Sequence, residues 1–205
     1  MKNPLCEHED SNIMKADFGT YHHSTPVSSR KIRTVSKAMF VKAFELLPFS
    51  IDDKLKILDV GCGLGFLSCV SAEFYKNARI TGIDTFEDDS LKDSSIKKAK
   101  ENTKILGFSR RIDFKSADLL KFNPVKRFDI IISNLVFHNL GKMRFKAYSR
   151  LLPWMKDDSY IVVGDIFFTP KKDLDKLQKM FKILSKSKPE IVTNQYTVIV
   201  MSKKS

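Results

Sequence analysis

Three glycines at alternate positions, preceded by an acid, are the first chemical signal in this chain: Asp59-x-Gly61-x-Gly63-x-Gly65. Glycine has no Cβ, so such a loop turns sharply and lets its backbone approach a ligand closely. The apolar run at 56–60 before the loop reads as a strand, and 66–75 after it reads as a helix. A strand, a tight loop and a helix in that order aim a helix N-terminus at an anion or a nucleotide-like molecule. Carboxylates recur at the ends of later strand-like runs. Residues 78–84 end in Asp84, and 111–115 lead into Ala117-Asp118-Leu119. An ionised carboxylate only accepts hydrogen bonds, so Asp84 suits the paired hydroxyls of a ribose. It stands about as far beyond the loop as a ribose-binding acid does. The plainer alternative for both acids is turn or helix capping.

A fourth apolar run, 128–134, ends at Ser133-Asn134 and continues as Leu135-Val136-Phe137-His138. His138 is a candidate general base, because an unperturbed imidazole titrates near neutrality. It equally suits a structural role anchoring the next loop. His8, His22 and His23 lack the spacing of a metal site, so no metal is expected. The three cysteines, Cys6, Cys62 and Cys69, form no C-x-x-C pair and read as reduced thiols. Cys62 sits in the glycine loop, where a small residue packs.

The elements that must hold these groups follow from periodicity. Apolar residues at helical spacing predict a helix over 31–47, stopped by Pro48, and a polar helix over 88–106 with Ile105 and Leu106 inward. A helix over 142–155 follows the fourth strand, and 160–165 make a fifth. Thr169-Pro170 should open a last helix with Leu174, Leu177, Met180, Phe181 and Leu184 on its buried face. Residues 190–193 and 196–201 flank Asn194-Gln195 as a hairpin. Alternating strands and helices predict an α/β fold: a mostly parallel sheet with helices on both faces and an antiparallel end. Residues 1–30 show no period and form an N-terminal arm; 31–205 form the domain. Phe18 and Tyr21 are large groups in that arm and suggest a lid.

The loop does not match G-x-G-x-x-G, because Phe66 follows Gly65. It resembles the first motif of the class I S-adenosylmethionine-dependent methyltransferases, D/E-x-G-x-G-x-G. By motif and strand order the resemblance covers residues 54 to 201. It implies a Rossmann-like seven-stranded sheet with a C-terminal antiparallel hairpin, and S-adenosyl-L-methionine as cofactor. Asp59, Gly61, Cys62, Gly63 and Gly65 would sit at its amino-acid end, with Ser133 and Asn134. Asp84 and Thr85 would meet the ribose. Ala117, Asp118 and Leu119 would meet the adenine, with Asp118 accepting from its amino group. Many enzymes of this class that methylate planar amino nitrogens carry [N/D/S]-P-P-[Y/F/W] after the fourth strand. Here Leu135-Val136-Phe137 follows Asn134, and the stretch is similar to that of small-molecule methyltransferases. The resemblance therefore implies a small-molecule methyl acceptor, with Phe18, Tyr21 and Phe137 as acceptor or lid residues. The alternatives are an RNA or protein methyltransferase docking through a basic surface, or a non-catalytic cofactor-binding module.

Composition sets the remaining bounds. Net charge is +12, but the lysines are scattered in short groups, so a nucleic-acid partner is open and not favoured. No apolar run approaches the roughly 18 residues of a membrane span. The first residues lack the apolar core of a signal peptide, which predicts a cytoplasmic protein. The oligomeric state is not legible.

Overall fold

The computed structural model describes residues 12–87, 90–91, 93–189 and 195–204. In chain order the helices are α1 (Pro26–Glu45), α2 (Phe66–Phe74), α3 (Ile96–Ile105), α4 (Arg144–Leu151) and α5 (Pro170–Met180). The strands are β1 (Lys56–Val60), β2 (Arg79–Asp84), β3 (Ile112–Ser116), β4 (Phe128–Asn134), β5 (Met155–Ile166), β6 (Phe181–Ser187) and β7 (Tyr196–Lys203). They form one seven-stranded sheet in the order β3-β2-β1-β4-β5-β7-β6. β3 through β5 run parallel, and β7 pairs antiparallel with β5 and β6. This is the expected Rossmann-like architecture.

The continuous apolar strands follow from burial on both faces. Ile57, Ile130, Ile132 and Val162 point into a core shared with α1, α2 and α3. Leu58, Ile131, Ile161 and Val163 point into a second core with α4 and the β6–β7 end. Strand order reverses between β1 and β4, so the loops after β1 and β4 leave in opposite directions and open a crevice.

Several element boundaries differ from expectation. α1 starts at Pro26, because the Thr25 hydroxyl accepts from Ser28 N at 3.1 Å and Pro26 takes the first turn. Residues 26–30 therefore belong to the helix. The described part of the arm is packed: Ile13 and Phe18 lie in the core. α3 starts only at Ile96, where Ser95 accepts from Lys98 N at 3.2 Å, and Ile105 faces solvent. A 3-10 stretch (Phe137–Met143) takes the first two positions expected of α4, and another at Leu152–Trp154, holding Pro153, ends it early. β5 then begins at Met155.

At the C-terminal end, Phe181 and Leu184 belong to edge strand β6 instead of the last helix. Phe181 is buried and Leu184 is exposed, as strand alternation requires. The closing antiparallel pair is thus β6–β7; residues 190–193, expected as its first strand, lie outside the described residues except in sequence. Thr169 does not cap the backbone of α5, since its hydroxyl donates to Asp173 Oδ1 at 2.9 Å. Among the described residues no helix is long and apolar enough to cross a membrane.

Candidate active site

A cavity of about 520 Å³ opens where β1, β2 and β4 end. The glycine loop forms one side. Gly61 and Cys62 both donate their N–H to Ile83 O, at 2.8 and 3.1 Å, which pins the loop to the end of β2. Gly61 has φ +70°, and a Cβ there would lie 2.2 Å from Val136 Cγ2. Only glycine combines that backbone with that close approach. Gly65 does not line the cavity. It is the left-handed residue that opens α2 (φ +83°), and a Cβ would lie 2.7 Å from the Phe114 ring.

The acid at the end of β2 is held firmly. Asp84 Oδ2 accepts from Gly63 N, and Oδ1 accepts from Phe86 N, both at 2.8 Å. A carboxylate has about four lone-pair sites, so each oxygen keeps capacity for a ligand hydroxyl. The capping role and the ribose role are therefore compatible. Thr85 lies beside it on the cavity wall. Ala117, Asp118 and Leu119 line the far end, where Ala117 N donates to Asp84 O and Asp118 Oδ1 accepts from Leu120 N, each at 2.8 Å.

Asp59 is 1 % exposed and accepts from Ser68 Oγ at 2.6 Å. Burial is the main cause that pushes its carboxyl up to about 7; the Ser68 hydrogen bond opposes this and the charge of Asp84 adds to it. The native carboxyl thus holds its proton where the unfolded chain has lost it. The resulting stability is complete below the unfolded value near 4 and is lost as pH rises through about 7. We expect the ligand-free protein to lose about 2 kcal/mol through this group between pH 5 and 8. Denaturant melts of wild type against Asp59→Asn check it, because the variant should lack this component. Cys62 is buried, and its thiol is pushed well up, chiefly by burial and then by Asp59 and Asp84. That fits a packing residue with no thiolate chemistry.

The loop after β4 divides the expected residues. Asn134 lines the cavity and accepts from the Tyr196 hydroxyl at 2.7 Å. Ser133 does not line it: its hydroxyl donates to Val60 O at 2.8 Å, tying β4 to β1. Phe137 is also misplaced by the sequence reading. It is fully buried on the opposite face, stacked on Tyr148 with ring centroids 3.9 Å apart. The neighbouring His138 does reach the cavity. Its Nδ1 lies 2.5 Å from Asp165 Oδ1, and its backbone N–H donates to Asp165 Oδ2 at 3.0 Å. Leu135, at φ +60°, is a left-handed residue that few side chains tolerate, and it makes the bend that separates these groups.

Phe18 and Tyr21 line the cavity as expected of the arm. Tyr21 bridges to Leu91, and His22 N donates to Ser90 O at 2.8 Å. The arm is thereby fastened to the segment after β2. Two further wall residues, Tyr196 and Arg33, were not expected from the sequence, nor was Asp165, which meets His138. Asp165 carried a usable signal, because it follows an apolar strand as Asp84 does. Arg33 carried one too, as a charge on the buried face of α1 beside Ser36 and Phe40.

A family model for a methyltransferase domain matches residues 51–203. The chain belongs to that family. The tRNA1(Val) (adenine(37)-N6)-methyltransferase of Vibrio cholerae serotype O1 is 34% identical over 100 residues, covering 49% of this chain and 37% of that relative. Ribosomal protein L11 methyltransferase of Staphylococcus haemolyticus is 29% identical over 163 residues, covering 80% of this chain and 44% of that relative. The match therefore spans less than half the length of these curated relatives. Among solved structures, magnesium protoporphyrin IX methyltransferase (ChlM) from Synechocystis PCC 6803, with bound SAM, has TM-score 0.66 at 16% identity, covering 88% of this chain and 86% of that one. At that identity the likeness shows the shared fold. Membership of the methyltransferase domain family makes S-adenosylmethionine the cofactor. The cavity fits it: the glycine loop leaves room for close backbone approach, and the Asp84 carboxylate retains free acceptor capacity.

Proposed function

We propose that this methyltransferase domain transfers a methyl group from S-adenosylmethionine to a small-molecule acceptor that gives up a proton. The observation that carries the acceptor class is the cavity wall. The sequence holds 36 lysines and arginines, yet among the described residues no lysine and only Arg33 line the cavity. An enzyme docking RNA gains its affinity from cations facing phosphates. Here the charge lies elsewhere on the surface.

When bound, the cofactor supplies an activated methyl group, so the protein needs little chemistry of its own. The glycine loop and the start of α2 would hold its amino-acid end. Asp84 would accept from the ribose hydroxyls, and Asp118 from the adenine amino group. Phe18 and Tyr21, on the fastened arm, narrow the cavity and help exclude water. His138 would take the acceptor proton. With its Nδ1–H donated to Asp165, the neutral ring keeps its lone pair on Nε2. Asp165 acts through His138 as a positioning residue.

Bulk tRNA tests the rival reading. We expect its binding to fade steeply with salt and to leave S-adenosylhomocysteine affinity unchanged. A saturable complex at physiological salt that alters S-adenosylhomocysteine affinity would overturn the small-molecule reading.

A further inference from the structure

Arg33 is 5 % exposed and forms part of the cavity wall. Its surroundings use only part of its hydrogen-bonding capacity. Nη1 donates to Gly19 O at 2.8 Å, and Nη2 donates to Phe18 O at 2.5 Å. The Tyr21 ring lies against the guanidinium, 4.5 Å from Cζ to the ring centroid. Nε is buried and has no acceptor among the described residues. A guanidinium offers five N–H donors in a planar fork, and the two carbonyls occupy two of them.

Among the described residues no carboxylate lies within 4.0 Å of Arg33. After burial, the Tyr21 side chain acts on it most, as an electrostatic and hydrogen-bonding partner; Asp17 is exposed and acts on it from a distance. Burial is the leading cause that holds the guanidinium below the usual arginine range. Buried charges are ordinarily paired, because carbonyl dipoles and a ring face replace only part of their hydration. Among the described residues Arg33 is thus a cation at a cavity wall with no carboxylate beside it, poised for a ligand anion.

Its position links it to the cofactor end of the cavity. The Phe18 ring meets Phe66, the first residue of α2, edge-on with centroids 5.3 Å apart. Asn102 Nδ2 donates to both Asp17 O at 2.8 Å and Leu64 O at 3.0 Å. The arm carbonyls that hold Arg33 are therefore fastened to the glycine loop and to α2.

We infer that Arg33 is a carboxylate-binding residue of this cavity, and that a carboxylate on a bound small molecule completes its charge and hydrogen bonding. The inference rests on the cofactor reading above. Two bound molecules could present the group: the cofactor, through its amino-acid end, or a carboxylate-bearing acceptor. The recognition chemistry is the same for both, a planar fork meeting a planar two-oxygen anion. The Tyr21 ring over Cζ and the two carbonyls hold the fork in place in advance. The segment 18–21 thus works as a holder for Arg33 as well as a cover.

Calorimetry with S-adenosylhomocysteine and 5′-methylthioadenosine separates the sources, since the second nucleoside lacks the amino-acid end. Benzoate, titrated into the protein saturated with S-adenosylhomocysteine, probes an acceptor carboxylate. If the cofactor is the source, wild type prefers S-adenosylhomocysteine by about 10-fold or more, and Arg33→Gln removes that preference without weakening 5′-methylthioadenosine. If the acceptor is the source, Arg33→Gln leaves both nucleosides unchanged and abolishes benzoate binding. Arg33→Lys keeps the charge without the fork; it should retain part of either effect and carries the test should Arg33→Gln not fold. Unchanged nucleoside preference together with unchanged or absent benzoate binding overturns the inference and leaves the cofactor reading standing. A wild-type protein that binds neither nucleoside removes the cofactor reading and the inference with it.

Discussion

Replacing His138 with alanine should lower the rate of methyl transfer by about 10²–10⁴-fold, the usual contribution of a positioned general base. S-adenosylhomocysteine affinity should stay close to wild type, because the loss is confined to the reacting proton. Asp165 makes this a sharp expectation. It is 2 % exposed and receives the His138 backbone N–H, the His138 ring and the Ile166 N–H, the last at 2.8 Å. That arrangement fixes both the plane and the tautomer of the imidazole. Asp165→Asn should then cost nearly as much as removing the ring, because an asparagine amide can donate to Nδ1 and leave the proton on Nε2. Single-turnover rates for the two variants and the double variant check this. Equal losses in all three support a dyad, and additive losses argue for separate structural effects.

Replacing Asp84 with alanine should weaken S-adenosylmethionine binding by about 10²-fold or more, since hydrogen bonds to a charged group contribute about 1.5–3 kcal/mol each. The structure sharpens how this loss arises. Asp84 would meet the ribose, and it also holds the N–H groups of Gly63 and Phe86. Alanine therefore removes the ligand contact and loosens the loop that frames it. Asp84→Asn keeps one acceptor oxygen and the shape of the side chain, so its loss should be intermediate. Calorimetric titration measures both. Affinity unchanged in the alanine variant would remove Asp84 from the cofactor site.

The parts of this protein that were legible in its sequence are those governed by local rules. Ile57 to Val60 read as a strand and Ile130 to Ile132 as one buried on both faces, and the structure covers both faces of each. The glycine loop was legible because Gly61 and Gly65 adopt backbones that side chains disfavour. Where elements compete, spacing misled. Phe181 and Leu184 continue the apolar rhythm of α5, and only pairing with β7 makes them a strand. Phe137 and His138 are adjacent in sequence, yet the bend at Leu135 and the 3-10 stretch after it send them to opposite faces. Asp165 and Arg33 were overlooked for a related reason. The first meets His138 across 27 positions, and the second meets Phe18 across 15, and neither partnership leaves a local pattern.

A labelled-methyl assay reads the acceptor class directly. The protein is incubated with methyl-labelled S-adenosylmethionine and cell extract, and the label is separated into small-molecule, RNA and protein fractions. Label should enter the small-molecule fraction with wild type and be lost from it with His138→Ala. Label that follows RNA or protein, or transfer to a small molecule that survives in His138→Ala, would contradict the proposed function.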